Sequence, residues 1–222
     1  MLRREGWAVN GKRVRRLMAD MGLKGKAPHR GRRTTDSRHG FPRYPNLVER
    51  LEITRPDQVW AADITYVRLR EEFVYLAVVM DVFTRRVRGW ELGRGLDQEL
   101  TLGALRRALR RGRRPQVHHS DQGVQYAATA YTDLLAGRGV AISMAAVGKP
   151  EENGFAERLM RTIREEEIDL SEYRDFGDAY GQLGRFLDGV YNRKRIHSSL
   201  GYLTPAEFEQ RWLRSQRVAT PH

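Results

Sequence analysis

Three acidic residues of this 222-residue chain, Asp63, Asp121 and Glu157, have types and positions that could do chemistry together. Asp63 lies in Trp60-Ala61-Ala62-Asp63-Ile64-Thr65-Tyr66, an apolar run that reads as a strand. A carboxylate there is costly unless something compensates its charge, and a divalent cation would. Asp121 closes a short strand in His118-His119-Ser120-Asp121-Gln122-Gly123, with Gly123 free to make the tight turn that follows. Ligands collect at such carboxyl ends of strands in sheets that include parallel pairs. Glu157 stands one turn into a helix opened by Asn153, off the apolar edge formed by Phe155, Leu159 and Ile163. Each acid alone has a plainer reading: a solvated strand face for Asp63, an ordinary Asp-x-Gly turn for Asp121, a surface pair with Arg161 for Glu157. Together they form a pattern. Asp63 precedes Asp121 by 58 positions, and 35 residues separate Asp121 from Glu157. Hard oxygen ligands of this kind suit Mg²⁺ or Mn²⁺. Two such ions ~3.5–4 Å apart can activate an attacking oxygen and stabilise a leaving one in phosphoryl transfer.

For the acids to meet, a sheet must set Asp63 beside Asp121 and a helix must lean Glu157 over both. Residue patterns supply those elements. Val59–Leu69, Phe73–Val82 and Arg86–Leu92 read as three strands with short connections, hence an antiparallel meander. Asp97–Arg110 has helical periodicity through Leu100, Ala104, Leu105 and Ala108. Gln116–His119 is a short strand, Ala127–Gly137 a helix, Val140–Ala145 a strand, and Asn153–Ile168 and Phe176–Tyr191 helices. Thr204–Arg214 closes the series, with Pro205 at a first helical position. This order gives a five-stranded mixed sheet flanked by helices, the α/β order of a ribonuclease-H-like fold.

Ahead of that body lies a basic segment. The formal net charge is +12, and residues 1–50 hold 14 Lys/Arg against 4 Asp/Glu. Such a basic arm on a near-neutral body points to a polyanion, most simply nucleic acid. Arg makes up 35 of the 40 basic residues; a bidentate grip on phosphate and a GC-rich genome both account for that. Asn10 fits a helix N-cap, Val14, Leu17, Met18 and Met21 form one stripe, and Gly22 fits the left-handed stop. Lys12, Arg13 and Arg16 fall largely off that stripe and are candidate phosphate contacts. The segment reads either as the last part of a helix-turn-helix or as a basic helix packed on a partner. Residues 24–46, rich in Gly and Pro among basic residues, read as an extended linker. The chain has no cysteine, which excludes disulfides, thiolate zinc sites and thiol nucleophiles. No apolar run approaches the ~18 residues a membrane span needs, and the first residues lack a secretory apolar stretch. A cytoplasmic location is expected.

The stretches Trp60–Tyr66, Tyr75–Asp81, His119–Tyr126, Asn153–Arg158, and Tyr191–Leu200 followed by Thr204-Pro205 resemble, in this order and spacing, bacterial insertion-sequence transposases of the IS-three type. In that family the catalytic subunit comes from a second reading frame. Through it the chain resembles the core of retroviral integrases, over residues 46 to 214. The resemblance implies an integrase-type core at 46–170, a C-terminal helical extension at 171–222, a partial helix-turn-helix-like segment at 1–23 and a basic linker at 24–45. It implies Asp63, Asp121 and Glu157 as the catalytic triad, and as ligands of two Mg²⁺ ions with Mn²⁺ as substitute. It implies end cleavage, 3′-OH strand transfer and a copy-out route through a circle. The implied partners are transposon-end and target DNA, further copies of the chain, and the helix-turn-helix product of the upstream frame. The family pattern usually has further residues before this N-terminus, so a truncated frame or misplaced start is expected. Ile196 stands where the family often has Pro, and Glu152 where it often has Asp; neither change removes a triad member. The alternatives are a ribonuclease-H-like nuclease that only hydrolyses and an inactive DNA-binding remnant.

Around the triad, Lys149, Arg158, Arg161 and Arg195 read as candidate DNA contacts or as solvated charges. His197 reads with Arg195 as backbone contact or as packing. His118 and His119 lack the further ligands zinc needs. Gln125 and Tyr126 are expected to shape the loop under the site, and Asp81 to be structural, at a strand end beside Asp63.

Overall fold

The structure, a computed structural model, describes residues 6–23, 42–146 and 149–218. The chain forms two compact units, residues 1–32 and 33–222. In the first, helix α1 (Gly11–Asp20) starts at Asn10, whose side chain accepts a hydrogen bond from the Arg13 N–H at 2.8 Å. Gly22 takes the left-handed conformation expected of it, at φ +68°. α1 buries none of its residues. Most of the expected linker, residues 24–41, lies outside the described residues.

The second unit is built on a five-stranded sheet in the order β3-β2-β1-β4-β5. β1 (Val59–Arg68), β2 (Phe73–Asp81) and β3 (Val87–Gly93) form the antiparallel meander. β4 (Val117–Ser120) lies parallel to β1, and β5 (Ala141–Met144) parallel to β4. Side chains alternating along β1 feed two cores. Val59, Ala61 and Val67 face one, with Leu159, Met160 and Ile163 of α5 (Gly154–Glu166) and Leu183 of α6 (Phe176–Gly184). Trp60 and Ala62 face the other, with Leu100 and Leu105 of α2 (Gln98–Ala108) and Tyr131 and Leu135 of α4 (Thr129–Ala136). A strand buried on both faces reads as a near-continuous apolar run, and β1 does.

Two expected helices are built differently. The expected Ala127–Gly137 helix is α4, and a short helix that was not expected, α3 (Val124–Ala127), precedes it, the two separated by Ala128 in extended backbone, at ψ 139°. Tyr126 and Tyr131, five residues apart, would diverge by about 140° on one continuous helix. The break turns both inward, with ring centroids 5.5 Å apart, edge to face. The expected Phe176–Tyr191 helix runs as α6 to Gly184 and then as a wider π-type turn over Arg185–Tyr191. That winding delivers Asn192 to β3, where its side chain accepts from the Val87 N–H at 2.9 Å and donates to the Val87 carbonyl at 3.1 Å.

The last helix, α7 (Pro205–Val218), is tied to the sheet by a buried ion network. Glu209, 2% exposed, meets Arg88 Nη1 and Arg113 Nη1 at 2.7 Å each and also Arg86. Arg88, 4% exposed, also meets Asp57 at 3.0 Å and Asp81 at 3.4 Å. Removing one partner from a buried set like this leaves an uncompensated charge, which is costly. These arginines are structural.

Candidate active site

β1 and β4 bring the first two acids together. Their parallel register pairs Val59 with Val117, Trp60 with His118 and Ala61 with His119. Asp63 and Asp121 stand two residues further along each segment. Asp63 Oδ1 accepts from the Ile64 N–H at 2.8 Å, and Asp121 Oδ1 from the Gly123 N–H at 3.0 Å, the turn the glycine permits. The third acid arrives on α5. Its buried residues Ala156, Leu159, Met160 and Ile163 set that helix on the sheet and leave Glu157 partly exposed. The Asn153 side chain fastens the start of α5 by donating to the Ala62 carbonyl, next to Asp63, at 3.2 Å.

Electrostatics show that the three acids share a field. Asp63 keeps partial solvent contact. Burial by the surrounding protein, followed by the charges of Asp121 and then Glu157, nevertheless pushes its carboxyl up to about 8. Arg164, two turns after Glu157 on α5, opposes this weakly. Among the described residues, no three acidic or histidine side chains are gathered closely enough to form a finished metal cage. Asp63, Asp121 and Glu157 interact electrostatically. Their donors are all hard oxygens and their charges repel, a combination that fits divalent Mg²⁺ or Mn²⁺.

The neighbouring histidines are structural. His118 is buried and bonds the Tyr131 hydroxyl at 2.9 Å; burial pushes it down to about 3, so it is neutral. His119 bridges Ser143 Oγ at 2.8 Å and the Glu152 carbonyl at 3.0 Å. Gln125 donates to the Leu96 carbonyl at 3.3 Å, and Tyr126 is buried among the residues under β1. Asp81 is fully buried and accepts from the Asp57 and Thr84 N–H groups and the Thr84 hydroxyl. It pairs across the sheet with Trp60, whereas Asp63 pairs with Val78. The expectation that Asp81 lies beside Asp63 is therefore corrected: the antiparallel register sets it three residues toward the far end of β1.

This core matches models of the integrase core domain over residues 53–150 and 138–205, and residues 1–31 match an HTH-like domain. An IS600 insertion-element protein of 31 kDa from Shigella sonnei is 35% identical over 95% of this chain and 79% of its own length. The transposase of IS904 from Lactococcus lactis is 31% identical over 95% of this chain and 84% of its own length. This chain belongs to the insertion-sequence transposases. Transposase InsF of IS3A from Escherichia coli is 33% identical, over 95% of this chain and 74% of that one. Solved structures carry the same fold. A chain of the simian T-cell lymphotropic virus intasome superposes with a TM-score of 0.58 at 17% identity, over 79% of this chain and 60% of that one. The HTLV-2 integrase catalytic core, in complex with magnesium, superposes at 0.51 with 15% identity, over 69% of this chain and 97% of that one.

The candidate DNA contacts of this transposase sit in different settings. Lys12, Arg13 and Arg16 are exposed on α1, and Arg158 and Arg161 are exposed on α5. Lys149 is exposed and pairs with Glu152 at 3.2 Å. Arg195 is held by Glu166 through two bonds, 2.6 and 2.8 Å, and lies over the Tyr191 ring at 5.9 Å. His197 packs edge-on to Tyr191 at 5.3 Å, and burial, then Arg195, push it down to about 4. Sequence reasoning gave no role to Glu166, to the His119 bridge or to Arg85, whose guanidinium stands 4.4 Å from the centre of the Phe155 ring. No sequence signal pairs such residues, because each contact joins distant parts of the chain.

Proposed function

We propose that this transposase cuts transposon ends and joins them to DNA by two-metal phosphoryl transfer, with Asp63, Asp121 and Glu157 as its catalytic acids. One arrangement carries the reading: the parallel β1/β4 register sets Asp63 and Asp121 at matching positions, and the helix bearing Glu157 is bonded at its start to Ala62, next to Asp63; burial, then Asp121 and Glu157, raise the Asp63 carboxyl accordingly. Asp63 is the shared ligand in this scheme, with Asp121 completing one cation position and Glu157 the other. Two divalent ions held there would supply the positive charge that activates an attacking oxygen and stabilises a leaving one. The chain's own part is placement. The β1/β4 register would hold Asp63 and Asp121 at matching positions, and α5 would bring Glu157 to them. Without a cation, Asp63 holds a proton at neutral pH. Water attacking the phosphodiester at the transposon end would release a 3′-OH and leave a 5′-phosphate; that 3′-OH would then attack a phosphodiester of the target, forming a new P–O bond as the target's own 3′-oxygen leaves.

The basic segment 1–23 and the linker 24–45 are proposed to hold DNA ahead of a core at 46–170 and its helical extension at 171–222. Lys12, Arg13, Arg16, Lys149, Arg158 and Arg161 would meet phosphates; Arg195 would do so only by giving up Glu166. Working partners would be transposon-end and target DNA, at least one further copy of the chain, and an upstream-frame helix-turn-helix subunit. Among the described residues no helix is long and apolar enough to cross a membrane, and a cytoplasmic, nucleoid-associated protein fits the role.

A labelled transposon end incubated with Mg²⁺ and target DNA tests the scheme. Nicked and joined products are expected, and Asp121→Asn should lower both by at least ~10²-fold, since the charge stabilisation at stake is several kcal/mol. Metal-dependent nicking with no joined product would leave a nuclease that only hydrolyses. Unchanged cleavage by Asp121→Asn would end the proposal.

A further inference from the structure

The residues that join the Glu157 helix to the sheet form a connected set that the reaction scheme does not use. Glu152 stands just ahead of α5, in the 3₁₀ turn Pro150–Asn153. Its Oε2 accepts from the Ala146 N–H at 2.8 Å and from Asn46 Nδ2 at 2.9 Å, and its Oε1 faces Lys149 Nζ at 3.2 Å. Its main-chain carbonyl meets His119 Nε2. A carbonyl only accepts, so that nitrogen carries the proton. His119 Nδ1 then accepts from the Ser143 hydroxyl, whose oxygen accepts from the Leu47 N–H at 2.9 Å. The next residue, Asn153, reaches Ala62. The start of α5 is thus fixed at one point beside Asp63 and at another two residues before Asp121. The Asn46-Leu47 segment bonds both to β5 and to the approach to the helix.

We propose that Glu152 is a positioning residue for Glu157: bound to Asn46 and Ala146 through its side chain and to His119 through its carbonyl, it fixes where α5 begins. The inference rests on the reading of Glu157 as a catalytic acid. A helix is stiff, and Glu157 lies four residues, about 6 Å, along the axis from Asn153. A shift at the first turn therefore passes to the carboxylate with little loss. Misplacing a reacting group by ~1 Å can cost ~10²-fold in rate. The side-chain bonds are also strong enough to matter electrostatically: the Ala146 N–H first, then Asn46, hold the Glu152 carboxyl below its ordinary range. The two donors, Asn46 and Ala146, lie 100 residues apart in sequence, so the Glu152 side chain ties the segment ahead of β1 and the loop after β5 to the start of α5.

The 222-residue chain and its Glu152→Ala, Glu152→Gln, Asn46→Ala and Glu157→Gln variants decide the matter. Two quantities are read: kcat and KM for cleavage of a labelled transposon end, and the Mg²⁺ concentration that half-saturates the rise in Tm. Glu152→Ala should lower kcat by ~10- to 100-fold with KM for DNA nearly unchanged, the mark of impaired transition-state geometry. It should also raise the Mg²⁺ requirement. Glu152→Gln keeps an oxygen for Ala146 and Asn46 and should recover most of kcat. Asn46→Ala, which removes one bond from the far side, should shift both readouts the same way by less. It stands in for Glu152→Ala should that variant fail to fold. Wild-type kcat and Mg²⁺ response in these variants, with Glu157→Gln inactive, overturn the inference alone. Equal losses in the Ala and Gln variants assign the effect to the Lys149 charge pair and also overturn it. An active Glu157→Gln overturns the proposed function instead.

Discussion

At the scale of single residues, Asp63 shows the conflict between burial and charge most directly. Its carboxyl is raised to about 8 by burial, Asp121 and Glu157. The folded, metal-free protein therefore holds a proton that the unfolded chain releases. The associated stability is fully present below the ordinary aspartate range and is lost as pH rises through about 8, because the native state then binds more protons than the unfolded state. In divalent-free buffer the Tm should fall between about pH 5 and pH 9, and Asp63→Asn should remove most of that slope while abolishing end cleavage. Thermal unfolding of both proteins across this range checks it, and equal slopes would remove Asp63 as the cause. Asp63 stood out because a carboxylate inside an apolar strand is conspicuous in one dimension, whereas Asp121 and Glu157 were singled out by their spacing and by the family resemblance. Arginines were less legible. Arg88 and Arg113 neutralise Asp57, Asp81 and Glu209 internally, so their charge, although part of the basic total, serves the fold.

At the scale of elements, periodicity located every strand and most helices among the described residues, since a period of two or 3.6 is written locally. It missed the break at Ala128 and the π-type turn after Gly184, because both answer to distant partners: the core that takes in Tyr126 and Tyr131, and the Val87 main chain. Packing between elements was equally out of reach. A Cβ at Gly89 of β3 would stand 2.2 Å from the Ala104 carbonyl oxygen and 2.5 Å from the Ala108 nitrogen, both backbone atoms of α2. Backbone cannot rotate away as a side chain can, so Gly89→Ala must push α2 off the sheet. A loss of about 3 kcal/mol or more is expected, at or above the usual range for overpacked cores. Denaturant unfolding measures it; a loss below about 1 kcal/mol would show that α2 shifts freely.

At the scale of the whole molecule, charge is divided between the basic segment and the body. Residues 1–50 carry 14 of the 40 Lys/Arg but only 4 of the 28 Asp/Glu. DNA affinity should fall steeply with salt. Deleting residues 1–32 should weaken binding and flatten the slope of log K against log salt by about 0.9 for each phosphate that is no longer neutralised. Affinity measured over a salt series decides this. An unchanged slope would locate the phosphate-binding groups on the body instead, with Arg158 and Arg161 of α5 as the first to test.

By itself the sequence determined the α/β order, the basic N-terminal segment and the family resemblance, and it singled out three candidate acids, because each is carried by residue type, spacing or local period. Only the tertiary structure decided that Asp63 and Asp121 fall at matching positions along parallel neighbouring segments, that Asp81 belongs to a buried ion network, and that Glu152 and His119 join the Glu157 helix to the sheet. These depend on strand register and on side chains that meet within hydrogen-bond distance although they lie far apart along the chain. Such pairings arise from packing the whole chain at once, and no local stretch of sequence contains them.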